Sequence, residues 1–114
     1  MSSRPLTARE QAVLEALLAV DFPGAEDLRR QAAGVVVVGT CACGCPSIDF
    51  HHGRGLGMAI RVNAGVRDSY DSLFLYTIED ARHGEVLGGI EWVGVGDTDP
   101  GQFPSPDLLD IGPA

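Results

Sequence analysis

Three cysteines stand at alternate positions, Cys41, Cys43 and Cys45, and two adjacent histidines, His51 and His52, follow closely. These are the side chains that ligate soft metals, exchange disulfides, or pair as nucleophile and base. In an extended strand all three sulfurs would share one face, with Cys41 and Cys45 ~13 Å apart at about 3.3 Å per residue. A single zinc ion holds each sulfur at about 2.3 Å, so one metal requires the segment to curl. Gly44 permits positive φ and Pro46 cannot continue a central ladder, which suits a turn. Curled, the segment offers Cys41, Cys43 and Cys45 as thiolates, with His51 or its neighbour His52 as fourth ligand. That set is the Cys₃His of a closed structural zinc site. The spacing is not the usual Cys-x₂-Cys, and no second cysteine pair exists.

Two other readings of the cysteines stand beside the metal. Free cysteine behaves as a small hydrophobe, and three small side chains could simply let a helix pack closely. Alternatively Cys43 or Cys45, the only catalytic candidates, could act as redox or nucleophilic thiols. A nucleophile needs a base in hydrogen-bond reach, and His51, His52, His83 and Asp49 are the candidates. Adjacent histidines on a strand point to opposite faces, so at most one meets a given site. A structural disulfide is not expected. The chain reads as cytosolic, partners two residues apart are badly placed, and an odd cysteine is left over.

Other motifs are thin. Gly53-x-Gly55-x-Gly57 lacks the strand-turn-helix setting of a dinucleotide fingerprint. There is no P-loop, Gly-x-Ser-x-Gly or His-Glu-x-x-His. Glu79, Glu85 and Glu91 read as an acidic patch or as solvated strand-face charges. Asp49, Glu91 and Trp92 are the residues on which a binding surface would centre, although a lone Trp also suits a core.

The elements that must position these groups follow from pattern. Thr7-Ala8-Arg9-Glu10 is a capping box, and Val13, Leu14, Leu17 and Leu18 form a stripe at helical period, predicting a helix over 8–20. Phe22 before Pro23 ends it. A shorter helix is expected from about Ala25 to Ala33, with Gly34 as its cap. Val35 to Val38, bounded by glycines, reads as a strand covered on both faces. Ile48 and Phe50 alternate with polar residues as a half-buried strand, and Gly53-Arg54-Gly55 as a turn. Met58, Ile60 and Val62 share one face of the next strand. Residues 72–79 and 85–95 form a hairpin around Asp80 to Gly84. In its second strand Val86, Ile90 and Trp92 share a parity, and Gly88 and Gly89 mark a bulge or a close approach.

The expected architecture is α+β: two N-terminal helices packed on a mostly antiparallel four- to five-stranded sheet. One domain covers 1–114, with 1–6 a flexible arm and 96–114 an acidic, proline-rich tail without regular structure.

Composition narrows the function classes. The chain has 114 residues, 45% of them hydrophobic, which suits one ordinary core. Sixteen acidic residues outweigh eight basic ones, all arginine, for a net charge of −8. That argues against nucleic-acid backbones and anionic lipid as partners. No apolar run is long enough to span a bilayer, and the first residues lack the apolar core of a secretory signal.

Leu6-Thr7 with Arg9-Glu10, then Asp21-Phe22-Pro23-Gly24, then Cys43-Gly44-Cys45-Pro46-Ser47-Ile48-Asp49, together resemble a family of small actinobacterial proteins of unknown function. The similarity covers roughly the first half and extends loosely through Glu91-Trp92. It implies a native domain and supplies no activity or ligand. The function expected from size and charge is a cytoplasmic, non-enzymatic module that binds a protein partner, immunity- or antitoxin-like by analogy, with no cofactor. The alternatives are a zinc-stabilised module and a cysteine-based enzyme.

Overall fold

A computed structural model describes residues 3–52, 57–96 and 98–114. Helix α1 spans Ala8–Leu18. Its capping box is complete: Glu10 N–H donates to Thr7 Oγ1 at 3.1 Å and Thr7 N–H to Glu10 Oε1 at 2.9 Å. The expected stripe of Val13, Leu14, Leu17 and Leu18 is buried. Helix α2 spans Ala25–Ala32 and turns Leu28 inward. Its Arg29 reaches back to α1, donating to the carbonyls of Leu18 and Val20. Leu18 ends α1 and Val20 lies just beyond it, where carbonyls have no intrahelical partner, so Arg29 ties the two helices together.

Six strands form one antiparallel sheet: β1 Gly39–Thr40, β2 Ile48–Asp49, β3 Ala59–Val66, β4 Ser72–Asp80, β5 Gly84–Val93 and β6 Leu109–Pro113. Their order is β1-β2-β5-β4-β3-β6. The α+β architecture is as expected, with six strands rather than four or five. The core lies between the helices and Val62, Ala64, Leu73, Leu75, Leu87, Ile90 and Trp92 of the sheet. The Gln31 side chain of α2 bridges to the edge of β5, donating to Glu85 O and accepting from Leu87 N–H, both at 3.0 Å. Among the described residues no helix is long and apolar enough to cross a membrane.

Three stretches depart from their sequence pattern. The valine run is not a strand covered on both faces. Val37 alone makes an isolated bridge, to Arg4, while Val36 is 39% exposed. The run leads into β1 at the sheet's edge; Val37 is buried and Val38 N–H donates to Asp49 O at 2.8 Å, so one face is covered and Val36 is left on the other. Arg4 is therefore not part of a loose arm. Its backbone pairs with Val37, and its guanidinium grips both Glu10 oxygens at 2.8 and 3.0 Å. Burial alone would raise the Glu10 carboxyl, but Arg4 and the Thr7 amide hold it below its ordinary pKa. The acidic tail is also ordered. Phe103 is wholly buried, a 3-10 turn covers Pro106–Leu108, and Leu109–Pro113 adds β6 beside β3. The Gly53-Arg54-Gly55 turn lies outside the described residues.

Two bulges reset the alternation. Ile60 pairs with Tyr76 but Val62 with Leu75, leaving Arg61 extra in β3. Tyr76 pairs with Gly89 but Thr77 with Leu87, leaving Gly88 extra in β5. Each extra residue flips the faces beyond it. Val62 is consequently buried while Ile60 is 45% exposed, and Leu87, not Val86, joins Ile90 and Trp92 in the core.

Gly88 and Gly89 do mark a close approach. The Tyr76 ring lies over both: a Cβ at Gly88 would fall 2.6 Å from Tyr76 Cδ2, and one at Gly89 would fall 2.7 Å from its hydroxyl and against the Ile48 carbonyl. Across the glycines the Tyr76 hydroxyl donates to Asp49 Oδ1 at 2.8 Å. We expect Gly89→Ala to cost about 1–3 kcal/mol by overpacking. Gly112→Ala should cost far less, because nothing lies within 4 Å of a Cβ there. Urea unfolding followed by Trp92 fluorescence measures both, and equal midpoints would show that β2 does not need this approach.

Candidate functional site

The loop from Cys41 to Ser47 joins β1 to β2, whose residues pair as Gly39 with Asp49 and Thr40 with Ile48. It curls tightly. Gly44 has φ of 90°, a conformation that glycine adopts without cost, and its N–H closes the turn on Cys41 O at 3.2 Å. The three sulfurs converge, and all lie within 4.8 Å of one another. Ligands at about 2.3 Å from a tetrahedral ion sit about 3.8 Å apart, so small side-chain rotations suffice for one ion to meet all three.

The loop's backbone also faces its sulfurs. Cys43 N–H points at Cys41 Sγ at 3.4 Å and Cys45 N–H at Cys43 Sγ at 3.3 Å. Donors aimed at sulfur stabilise the anionic thiolate that metals bind and that attacks disulfides. The three cysteines are not equivalent. Cys43 is exposed at the tip, whereas Cys41 and Cys45 are half-buried. Cys45 packs against the hydrophobic core, and its thiol lies 3.4 Å from Ser47 Oγ. Ser47 is buried, and its hydroxyl accepts the Trp92 N–H at 2.8 Å. One hydroxyl thus fastens the loop to the centre of the sheet. Sequence reasoning passed over Ser47, a hydroxyl with no pattern around it.

The structure joins Cys41 to Cys43 as a disulfide and leaves Cys45 free. This corrects the expectation that partners two residues apart are badly placed. Ala42 and Cys43 lie in the turn that Gly44 N–H closes on Cys41 O, and the two cysteine Cα atoms are 5.3 Å apart, inside the usual disulfide range.

His51 is placed elsewhere. Its ring is at the other end of β2, with Nε2 3.0 Å from Asp80 Oδ2. The metal-capable group among the described residues consists of the three cysteines without it. The reason is direction: β2 runs straight from the thiol loop to His51, so the strand separates what a curl would have joined. His83 Nδ1 meets the other oxygen of Asp80 at 3.2 Å, and the Arg82 and His83 amides donate to that same oxygen. Asp49 meets Tyr76, as described above. Three of the four groups offered as partners for a thiol nucleophile, His51, His83 and Asp49, are thus engaged with Asp80 and Tyr76. His52 is exposed.

The other binding candidates are also dispersed. Trp92 is in the core, with its indole N–H on Asp99 at 3.1 Å. Glu91 pairs with Phe74 on the face opposite the helices. Glu85 is bound by Arg61 at 2.5 Å and by the Thr77 hydroxyl at 2.6 Å, so Glu79, Glu85 and Glu91 do not act as one free patch.

No family model, curated protein or solved structure matches the chain.

The Asp80 cluster makes a pH prediction. The hydrogen bond from His51, followed by the Arg82 and His83 amides, pulls the Asp80 carboxyl well below its ordinary range. A depressed folded-state pKa gives stability that is complete above the unfolded value near ~4 and is lost as pH falls towards the folded value. Asp80→Asn should therefore lower stability at neutral pH and flatten the loss below about pH 4 relative to wild type. Urea midpoints at several pH values between neutral and about 2.5 would check it. An undiminished slope in the variant would remove Asp80 from the account.

Proposed function

We propose that the reduced protein binds one thiophilic d¹⁰ cation, zinc or copper(I), through Cys41, Cys43 and Cys45, in a cytoplasmic setting. The convergence of three sulfurs within 4.8 Å is the observation that carries the proposal. Thiolates select soft and borderline cations over calcium or magnesium, which take oxygen donors. With three protein ligands the fourth zinc position faces solvent at the exposed tip, which resembles an exchange-competent site more than a closed structural one. Amide N–H groups on two of the sulfurs supply outer support of the kind that tunes metal–thiolate bonds. A module that binds a basic or neutral protein partner rests on net charge, a weaker foundation than a set of converging donors.

Protein reduced and handled without oxygen should take up one zinc, and with cobalt(II) should develop a thiolate-to-cobalt charge-transfer band. Each of Cys41→Ser, Cys43→Ser and Cys45→Ser should weaken zinc binding at least about tenfold, roughly 1.4 kcal/mol. Affinity should fall with acidification as protons compete for the thiolates. Competition titration against a chromophoric zinc indicator reads all three. Equal affinity in the triple serine variant would end the proposal.

A further inference from the structure

Resting on that metal-binding reading, we infer that the loop is a thiol–disulfide switch in which a low-molecular-weight disulfide oxidises Cys41 and Cys43 and so expels the cation. Two mutually exclusive arrangements meet in the same seven residues. The three sulfurs lie close enough for one ion. The structure also bonds two of them to each other, with Cys45 left as the free thiol. A sulfur committed to a disulfide is no longer a thiolate, so the bridged loop retains one anionic donor of three.

The order of events follows from exposure and anchoring. Cys43 is exposed, so its thiolate attacks one sulfur of the reagent RS–SR. The reagent's S–S bond breaks, a Cys43–SR bond forms, and the first RS⁻ leaves and takes a proton from water. The Cys41 thiolate then attacks the Cys43 sulfur, whose Cα lies 5.3 Å from its own. The Cys43–SR bond breaks and the second RS⁻ leaves and is protonated. Two electrons have passed from Cys41 and Cys43 to RS–SR, giving one internal disulfide and two RSH. Cys45 is the poorer resolving thiol because it packs on the core beside the Ser47 hydroxyl. Held by Cys45 alone, the cation departs and that thiolate takes up a proton. A dithiol reductant reverses each step and restores the site.

The experiment uses the full chain, loaded with zinc without oxygen, then treated with excess glutathione disulfide beside a zinc indicator. We expect about one zinc released and about two glutathione thiols formed per chain. Thiol alkylation should fall from three sites to one, and peptide mapping should place the remaining label on Cys45. Dithiothreitol followed by its removal should restore zinc binding. Cys45→Ser should still form the Cys41–Cys43 bridge with the same glutathione yield, and Cys43→Ser should not. Zinc that stays bound, a persistent glutathione adduct, or a bridge containing Cys45 would overturn the switch while leaving metal binding intact. A reduced chain that takes up no zinc before any disulfide is added would instead fail the metal reading, and the switch with it.

Discussion

Gly88 and Gly89 let β2 lie against β5, and the placement of every candidate group follows from that contact. β2 has two residues, too few to hold by ladder bonds alone. Its grip is lengthened on both sides. The Phe50 N–H donates to Gly88 O at 2.8 Å, and the Ser47 hydroxyl takes the Trp92 amide. The Tyr76 ring lies flat over the glycines and bonds Asp49 from across β5. Any side chain at Gly89 would meet both the Ile48 carbonyl and the Tyr76 hydroxyl. With β2 fixed, its entry holds the thiol loop and its exit holds His51. The two bulges at Arg61 and Gly88 lie on the strands either side of Tyr76, opposite it in the ladders.

The thiol loop and the Asp80 cluster show how similar residue types are put to different use. Asp80 closes the β4–β5 hairpin with two backbone amides and two imidazoles, and its oxygens are taken up by that task. The cysteines are arranged the other way. Their neighbours are backbone amides, one hydroxyl and a patch of hydrocarbon, and the tip is open to solvent. Such a loop is anchored at its base, through Cys45 and Ser47, and accessible at Cys43. That combination suits ligand exchange: the donors stay assembled while the reacting sulfur remains within reach of a partner molecule.

Much of the fold was legible because local chemistry and global structure agree. Thr7 and Glu10 form their capping box, the 13/14/17/18 stripe is buried, and the strand formers of residues 72–79 lie in β4. The adjacent glycines were a readable warning of close approach. Misreadings occurred where tertiary context decides. Val35 to Val38 has strong strand propensity but lies near the sheet's edge, with Val37 buried and Val36 exposed, so only one face is covered. The tail from Gly96 onward has the composition of a loop, yet Phe103 finds the core and Leu109–Pro113 finds a free edge on β3. Face assignments for Val86 and Met58 failed because a bulge adds one residue without any mark in the periodicity.

At the site the division is sharper. Spacing alone determined that three sulfurs could meet at one point only if the backbone curled, and Gly44 named the place where it could. Whether the curl also captured a histidine was not a local matter. It depended on β2 running straight from Ser47 to Phe50, which in turn depended on glycines some forty positions later in the chain and on a tyrosine from a third strand. Sequence distance carries no record of such a contact, because the free energy that fixes it is gained only when the sheet has assembled. The amino-acid order thus determined the donors and their turn, and the assembled sheet decided their company.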